Sequence, residues 1–264
     1  MTYIVIILVV LGISFGIVPF WFTWRFRRYV SDRMGRPLGN YTPPATVIVP
    51  CKGTDLEFRQ NIESILDQDY PNFEVLFVTE SEDDPAYAEL ADIILSRPLV
   101  NTKLLVAGTR DRRAQKLTNV LYAGGHASKD SQVLVHLDAD IRLHRNFFRF
   151  LIGPLVDPSV GATAGFPFYM PRRGNPGSVL RSIWGVGALP LLVDTRHNLA
   201  SGAANALRKD TYAQAGVAQA MDGSVSDTFA ITQTEKKIGR RVEFVPQCLF
   251  ISPDESSMID TIRW

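Results

Sequence analysis

The feature that most limits how this chain folds is an uncharged run at its start. Residues Tyr3 to Trp24 (YIVIILVVLGISFGIVPFWFTW) contain no Asp, Glu, Lys or Arg. As a helix the run would be roughly 33 Å long, close to the thickness of a bilayer's hydrocarbon layer. A cleaved signal peptide is the alternative, but no basic segment precedes the run and no small-residue cleavage site follows it. We therefore predict an uncleaved, single-pass anchor at residues 1–28.

Arginines set the expected orientation of this anchor. Aromatic residues close the run, and five arginines follow it: Arg25, Arg27, Arg28, Arg33 and Arg36. The positive-inside rule then places the N-terminus outside and the rest of the chain in the cytoplasm, as at a bacterial inner membrane. The turn-forming segment GRPLGNYTPP ends a predicted linker at residues 29–44.

Charge and cysteine content exclude some classes of protein. The chain has 28 basic and 27 acidic residues, a net charge of +1, which argues against nucleic acid as a partner. Its two cysteines, far apart in sequence, do not indicate a disulfide framework.

From residue 45 onward, short apolar runs alternate with helical patterns. Strands are predicted at Ala45–Val49, Phe73–Val78, Lys103–Val106 and Gln132–Leu137, and helices at Leu56–Leu66, Ala86–Leu95 and Ala114–Ala127. This alternation is typical of an α/β domain with a mostly parallel sheet and helices on both faces, here residues 45–264. His136, inside the fourth strand, is expected to be a hydrogen-bonded core residue.

Charged residues follow three of these strands. Lys52 follows the first, Glu80 the second, and Asp138 and Asp140 the fourth. Because ligands of such sheets bind at the carboxyl ends of the strands, these residues predict a site for a phosphate-bearing ligand. Two carboxylates two residues apart can hold Mg²⁺ or Mn²⁺. Haloacid-dehalogenase-type phosphatases use a similar DxD pattern, but they carry Thr or Val where this chain has Arg142.

Several blocks together resemble family 2 glycosyltransferases, most closely ceramide glucosyltransferases and the related bacterial hopanoid-associated enzymes. The blocks are VIVPCKGTD (47–55), NIESILDQDYPNFEVLFV (61–78), SEDDPAY (81–87), AQKLTNVLYA (114–123), DADI (138–141), SGAANALRKDTYAQAG (201–216), VSDTFAITQTEKKIG (225–239) and DTIRW (260–264). They occur in the family's order and span nearly all of the chain beyond the anchor. The resemblance implies a Rossmann-like GT-A fold.

The same resemblance implies roles for individual residues. Asp227 would be the catalytic base, and Asp138 and Asp140 would hold Mg²⁺ or Mn²⁺. The donor, a UDP-sugar, would contact Lys52, Glu80, Lys116, Asp138, Arg263 and Trp264. Two positions depart from the family pattern: Ser226 stands where Glu is usual, and Asp260 where Gln or Arg is usual. Helix capping is the structural alternative for Asp227.

These observations predict inverting transfer of a sugar from a UDP-sugar to a membrane lipid on the cytoplasmic face. A processive polysaccharide synthase and a non-catalytic, membrane-tethered binding module are the alternatives. The apolar stretch Val179–Val193 has 15 residues, too few to span a membrane, and is expected to be a core or interfacial helix. Since relatives continue into further membrane helices, we also expect the domain to be truncated at its C-terminus.

Overall fold

The computed structural model describes residues 2–54, 57–110, 113–222, 224 and 226–263, without the side chains of residues 8–11 and 14. Within these ranges the strands are β1 (Ala45–Pro50), β2 (Phe73–Thr79), β3 (Asn101–Val106), β4 (Val133–Leu137), β5 (Val160–Pro171), β6 (Ala204–Arg208) and β7 (Arg241–Asp254). They form one sheet in the order β3-β2-β1-β4-β6-β5-β7. The four strands predicted from the sequence are β1 to β4.

Helices connect and cover these strands. They are α1 (Thr2–Met34), α2 (Phe58–Leu66), α3 (Pro85–Ser96), α4 (Gln115–Gly124), α5 (Phe147–Ile152), α6 (Pro176–Ala188), α7 (Lys209–Ala215), α8 (Val217–Met221), α9 (Asp227–Lys237) and α10 (Met258–Arg263). Two short 3₁₀ helices lie at Gly153–Val156 and Leu189–Val193. Helix α2 begins at Phe58, after the N-cap residue Glu57, and Leu56, where the predicted helix begins, lies outside the described residues.

The sheet is mixed but mostly parallel. The pairs β1–β2, β1–β4, β2–β3 and β5–β7 are parallel, whereas β6 runs antiparallel to both β4 and β5. Alternate side chains of β1 enter different cores: Val47 and Val49 pack with α2 residues, and Ile48 packs with α4 residues. The burial of both faces explains why the strand reads as a continuous apolar run.

The ends of four strands lie together at one edge of the sheet. The carboxyl ends of β1, β2 and β4 meet there because these strands are parallel. The reversed β6 brings its amino end to the same edge, since Ala204 pairs with Leu137. The loop before β6 therefore lies beside the loop after β4, an arrangement that the first half of the sequence does not predict.

The long helix α1 is partly docked on the domain. It continues to Met34, beyond the anchor boundary predicted at residue 28, because no glycine or proline interrupts it between Pro19 and Gly35. Tyr29 donates a hydrogen bond to the carbonyl of Phe244 (2.6 Å), and Arg33 pairs with Glu243 (3.1 Å). The first residues of the predicted linker are therefore helical and packed, and the irregular connection begins at Gly35.

Among the described residues, the segment long and apolar enough to cross a membrane is Pro176–Val193, and it is not at the N-terminus. It joins α6 to the following 3₁₀ helix and is three residues longer at its start than the stretch counted in the sequence. Within it, Arg181 pairs with the buried Asp254 of β7 at 3.1 Å. This ion pair ties α6 to the domain, so we treat α6 as a helix on the domain surface.

Candidate active site

Lys116 lies at the point where three parts of the fold meet. Its Nζ is 2.5 Å from Asp138 Oδ1 and 3.6 Å from Asp227 Oδ2, and it donates a hydrogen bond to the carbonyl of Gly202 (2.6 Å). These partners lie after β4, at the start of α9 and before β6. The structure thus brings together three of the residues that the sequence singled out, Lys116, Asp138 and Asp227.

The charges of this cluster depend on one another. Burial alone would lower the pKa of Lys116, but the charges of Asp138 and Asp227 reverse the effect and raise it. Burial raises the pKa of Asp138 to about 6, against the opposing influence of Lys116. Without the ammonium group, two carboxylates would share a poorly solvated site, which is unfavourable.

Asp227 is the first residue of α9 and is buried. Its Oδ1 accepts a hydrogen bond from Thr228 N (2.8 Å), so helix capping accounts for one carboxylate oxygen. Oδ2 has no hydrogen-bond donor among the described residues and faces Lys116. Ser226, the N-cap residue, makes no capping bond with its side chain. Oδ2 of Asp227 is therefore a buried acceptor whose hydrogen-bonding capacity is not used within the described part of the chain.

Gly202 allows the loop before β6 to lie close to Asp227 and Thr228 at the start of α9. The sequence did not indicate a role for this glycine. A Cβ at this position would lie 3.1 Å from Thr228 Oγ1 and 3.3 Å from Asp227 Oδ1. Both distances are tighter than ordinary van der Waals contact, so a side chain would push on the carboxylate. The signal in the sequence is the run of small residues SGAA before β6.

Asp138 and Asp140 line a polar cavity of about 280 Å³ at the edge of the sheet. No group of three His, Cys, Asp or Glu residues in the described part of the chain is placed to enclose a metal ion. Mg²⁺ and Mn²⁺ are commonly held by one or two carboxylates together with substrate phosphates, and a buried carboxylate with a raised pKa gains from a nearby cation. The donor set therefore fits a metal that binds together with a phosphate-bearing ligand.

The lining of this cavity also contains four residues that the sequence did not indicate. They are Tyr169, Arg181, Ser252 and Asp254. Arg181 stacks its guanidinium 4.4 Å from the ring centroid of Tyr169 and pairs with Asp254. A single arginine within the apolar stretch VLRSIWGVG is the signal that could have identified it. Because Arg181 is paired with Asp254, the carboxylates of Asp138 and Asp140 leave the cavity with an excess of negative charge, which suits a cation.

A second cavity of about 580 Å³ adjoins the first and is mostly apolar. Lys116, Asp138 and Asp227 line one end of it. The remaining wall comes from α6, its 3₁₀ extension and the loop before β6, with Phe166, Trp184, Ala188, Leu191, Leu192 and Leu199. The polar cluster thus faces a hydrophobic chamber.

Lys52 and Glu80 end adjacent strands, as predicted. Their side chains form an exposed ion pair at 3.7 Å, and neither lines the two cavities described above. Nearby, the buried Asp84 accepts hydrogen bonds from Gly53 N and Ala86 N and so fixes the loop after β1 against the start of α3. The donor roles of Lys52 and Glu80 stay predictions.

The C-terminal motif lies on α10, which packs against α6. Arg263 is exposed at the end of this helix, and Trp264 lies outside the described residues. Asp260 forms a capping box: its Oδ2 accepts bonds from Ser257 N (3.0 Å) and Ser257 Oγ (2.6 Å). The departure from the family pattern at this position therefore has a structural role.

His136 is buried in β4, as expected, but the expectation that it is hydrogen-bonded is wrong. Neither ring nitrogen has a partner among the described residues. Burial lowers the pKa of this histidine to about 4, so the ring is neutral. Its ring meets that of Tyr212 edge to face with centroids 6.5 Å apart.

Comparison with known proteins places these features in context. The model of Glycosyl transferase family 21 matches residues 4–263. The ceramide glucosyltransferase of Komagataella phaffii is 35% identical over 75 residues, which cover 28% of this chain and 15% of that enzyme.

Two solved structures share the fold. A mannosyltransferase from Pyrobaculum calidifontis, PcManGT in complex with GDP-Man and Mn²⁺, has a TM-score of 0.63 at 21% identity, covering 92% of this chain and 66% of that one. GalNAc-T7 with UDP, GalNAc and Mn²⁺ has a TM-score of 0.57 at 14% identity, covering 83% of this chain and 45% of that one. The fold is therefore the GT-A type, and the chain spans less than two thirds of each of these relatives.

Proposed function

This chain belongs to glycosyl transferase family 21, and from that premise we propose that it transfers a sugar from a nucleotide-sugar donor to the hydroxyl group of a membrane lipid. The similarity to ceramide glucosyltransferases favours UDP-glucose as donor and a ceramide-like lipid or a hopanoid as acceptor. The observation that carries this proposal is the position of Asp227, which lines the polar end of the apolar cavity beside Lys116 and Asp138, while Asp138 also lines the polar cavity.

The polar cavity is the proposed donor site. Asp138 and Asp140 would hold Mg²⁺ or Mn²⁺, which neutralises charge on the leaving diphosphate. Arg181, which is paired with Asp254, lines the same cavity. Lys116 compensates Asp138 and Asp227 together and so keeps both carboxylates in position.

The apolar cavity is the proposed acceptor site, and Asp227 connects it to the donor. The acceptor oxygen forms a bond to the anomeric carbon while the bond from that carbon to the diphosphate oxygen breaks. The proton of the attacking hydroxyl passes to Asp227 Oδ2, and the nucleoside diphosphate leaves. This single displacement inverts the anomeric centre. A positioned base of this kind contributes roughly 10²- to 10⁴-fold to the rate.

We also infer that α1 anchors the chain in the membrane with the catalytic domain on the cytoplasmic side. Tyr3, Phe15 and Phe20 of α1 are 83%, 80% and 73% exposed, and arginines begin at Arg25. A tethered enzyme meets lipid acceptors at a high local concentration. Removal of the tether would therefore lower turnover on vesicle lipids more than it lowers donor binding.

The test is a transfer assay with the full chain in membranes. UDP-glucose, UDP-N-acetylglucosamine and GDP-mannose would be supplied separately with Mg²⁺ or Mn²⁺ and a mixed lipid extract, and the lipids analysed by mass spectrometry. We expect one donor to yield a glycosylated lipid, and Asp140→Ala to abolish the product. Donor binding without any glycosylated lipid would favour a binding module, and a growing sugar polymer would favour a polysaccharide synthase.

A further inference from the structure

The outer face of α6 has an unusual composition for a surface helix. Every exposed residue between Pro176 and Val193 is apolar, and Ile183 and Trp184 are 64% and 72% exposed. Leu180, Ile183, Trp184, Gly187 and Ala188 line one shallow depression and therefore share a face; we call these five residues the α6 surface. A contiguous apolar face of this kind marks an interaction site.

The position of this face relative to α1 indicates what covers it. The 3₁₀ helix that continues α6 packs through Leu189, Leu192 and Val193 against Phe26 and Tyr29 of α1. Arg25 of α1 lies 4.0 Å from Asp194, directly after that 3₁₀ helix. Arg25 follows Trp24, the last residue of the apolar run, so with α1 as the proposed anchor the end of this 3₁₀ helix lies level with the cytoplasmic end of that run.

The charges around this boundary also fit a membrane. Arg27 and Arg28 on α1 and Arg196 after the 3₁₀ helix are exposed. Arginines beside an apolar helix face are typical of helices that lie in the interface of a bilayer containing anionic lipids. The one charged residue within α6, Arg181, points away from the α6 surface to Asp254.

The α6 surface is continuous with the apolar cavity of the active site. Trp184 and Ala188 line both the outer depression and the cavity of about 580 Å³ that contains Asp227. A lipid in the cytoplasmic leaflet would thus reach the cavity along one apolar wall, and its hydrocarbon chains would stay out of water.

We propose that the α6 surface inserts into the cytoplasmic leaflet beside α1 and forms the entrance through which the lipid acceptor reaches Asp227. Part of this proposal, the passage of an acceptor, rests on the proposed function. The insertion itself does not, and it can be measured without any turnover.

Depth-dependent quenching tests the insertion. The full chain, as Ile183→Cys or as Leu99→Cys, would be labelled with a nitrobenzoxadiazole fluorophore and reconstituted in vesicles of phosphatidylcholine and phosphatidylglycerol. The native Cys51 and Cys248 are buried and therefore protected from the label.

Leu99 is the matched control, because it is 99% exposed and precedes β3, at the opposite edge of the sheet from β7. We expect lipids with a shallow nitroxide group to quench the label at 183 several times more strongly than at 99. Equal quenching would overturn the proposal.

Kinetics then test the entrance. Ile183→Ser is expected to lower kcat/KM for a vesicle lipid roughly tenfold, because serine loses the apolar contact that the inserted isoleucine makes with the bilayer. The affinity for the nucleotide-sugar should not change, and Leu99→Ser should match the wild type in both measurements. If Ile183→Ser keeps full kcat/KM, α6 is not the entrance. If the wild-type chain transfers no sugar, the proposed function fails while the quenching result still decides the insertion.

Discussion

At the scale of single residues, the site depends on Lys116, which joins the loop after β4 to the start of α9. Its ammonium group contacts carboxylates that the sequence assigned to two different tasks, metal binding and proton transfer. The sequence could indicate each residue from the pattern around it. It could not indicate their mutual contact, because the contact depends on the reversed strand β6, which carries Gly202 to the same edge.

Lys116→Met should shift the pH dependence of the reaction. The charge of Lys116 opposes the burial that raises the pKa of Asp138 to about 6, so its removal raises that pKa further. Asp138 is then protonated at a higher pH, and the acidic limb of kcat/KM moves upward in pH. Profiles of the variant, the wild type and the exposed control Lys129→Met would be compared. An acidic limb at the same pH in all three would contradict this electrostatic role.

Gly202→Ala should impair catalysis more than stability. The new methyl group would press on Thr228 Oγ1 and Asp227 Oδ1, so the carboxylate has to move. We expect a loss of about 10-fold or more in kcat, since small misplacements of a base are costly, with a destabilisation of only about 1 kcal/mol. Gly124→Ala is the control, because a Cβ there has nothing within 4 Å. Wild-type kcat in Gly202→Ala would show that the tight fit has no functional consequence.

At the scale of secondary structure, the first half of the domain was predictable and the second half was not. Strands β1, β2 and β4 are buried on both faces and bounded by turn residues, so their sequences are continuous apolar runs. The later strands lack that signal: β5 contains Gly and Pro within GATAGFPFYMP, and β7 mixes Glu, Pro and Gln with apolar residues. Their pairing with each other stabilises them, and no local pattern reports that pairing.

Helix α9 contains a buried acid whose effect on stability can be measured. Burial raises the pKa of Glu235 from 4.5 to about 7, although the Thr211 hydroxyl and Arg240 oppose the shift. A carboxyl group with a raised pKa binds its proton more tightly in the folded state. Its stabilisation is therefore present below pH 4.5 and is lost as pH rises through about 7.

Glu235→Gln should remove this pH dependence. We expect the free energy of unfolding of the wild type to fall by roughly 3 kcal/mol across that interval, and the fall to be largely absent in the variant. Denaturant unfolding at several pH values would measure it, with the exposed Glu82→Gln as control. Parallel curves for wild type and Glu235→Gln would show that this carboxyl group is not buried in a neutral form.

At the scale of the whole molecule, the C-terminal part of α1 packs against the α/β domain and also continues the proposed anchor. The sequence predicted a linker at residues 29–44 because the segment GRPLGNYTPP is rich in turn-forming residues. The structure packs Tyr29 on Phe244 and pairs Arg33 with Glu243, so the proposed anchor is docked against the α/β domain. In the proposed membrane arrangement this docking also fixes the position of α6, because the 3₁₀ helix that continues it packs against Phe26 and Tyr29.

Tyr29→Phe tests this docking. The change removes the hydrogen bond to the Phe244 carbonyl and leaves that acceptor unpaired, which costs roughly 1–2 kcal/mol. We expect a lower Tm for the variant in detergent micelles, whereas Tyr3→Phe, which alters an 83% exposed side chain, should match the wild type. Equal Tm values for all three proteins would mean that α1 is not docked through Tyr29.

The most direct test of the central claim compares the wild type with Asp227→Asn in reconstituted vesicles, with lipid glycosylation and donor binding measured on the same samples. Asparagine keeps the size of the side chain and the bond from Thr228 N, but it cannot take a proton from the acceptor hydroxyl. We predict unchanged donor affinity and a loss of transfer of roughly 10²-fold or more. Transfer by Asp227→Asn at the wild-type rate would contradict the assignment of Asp227 as the base.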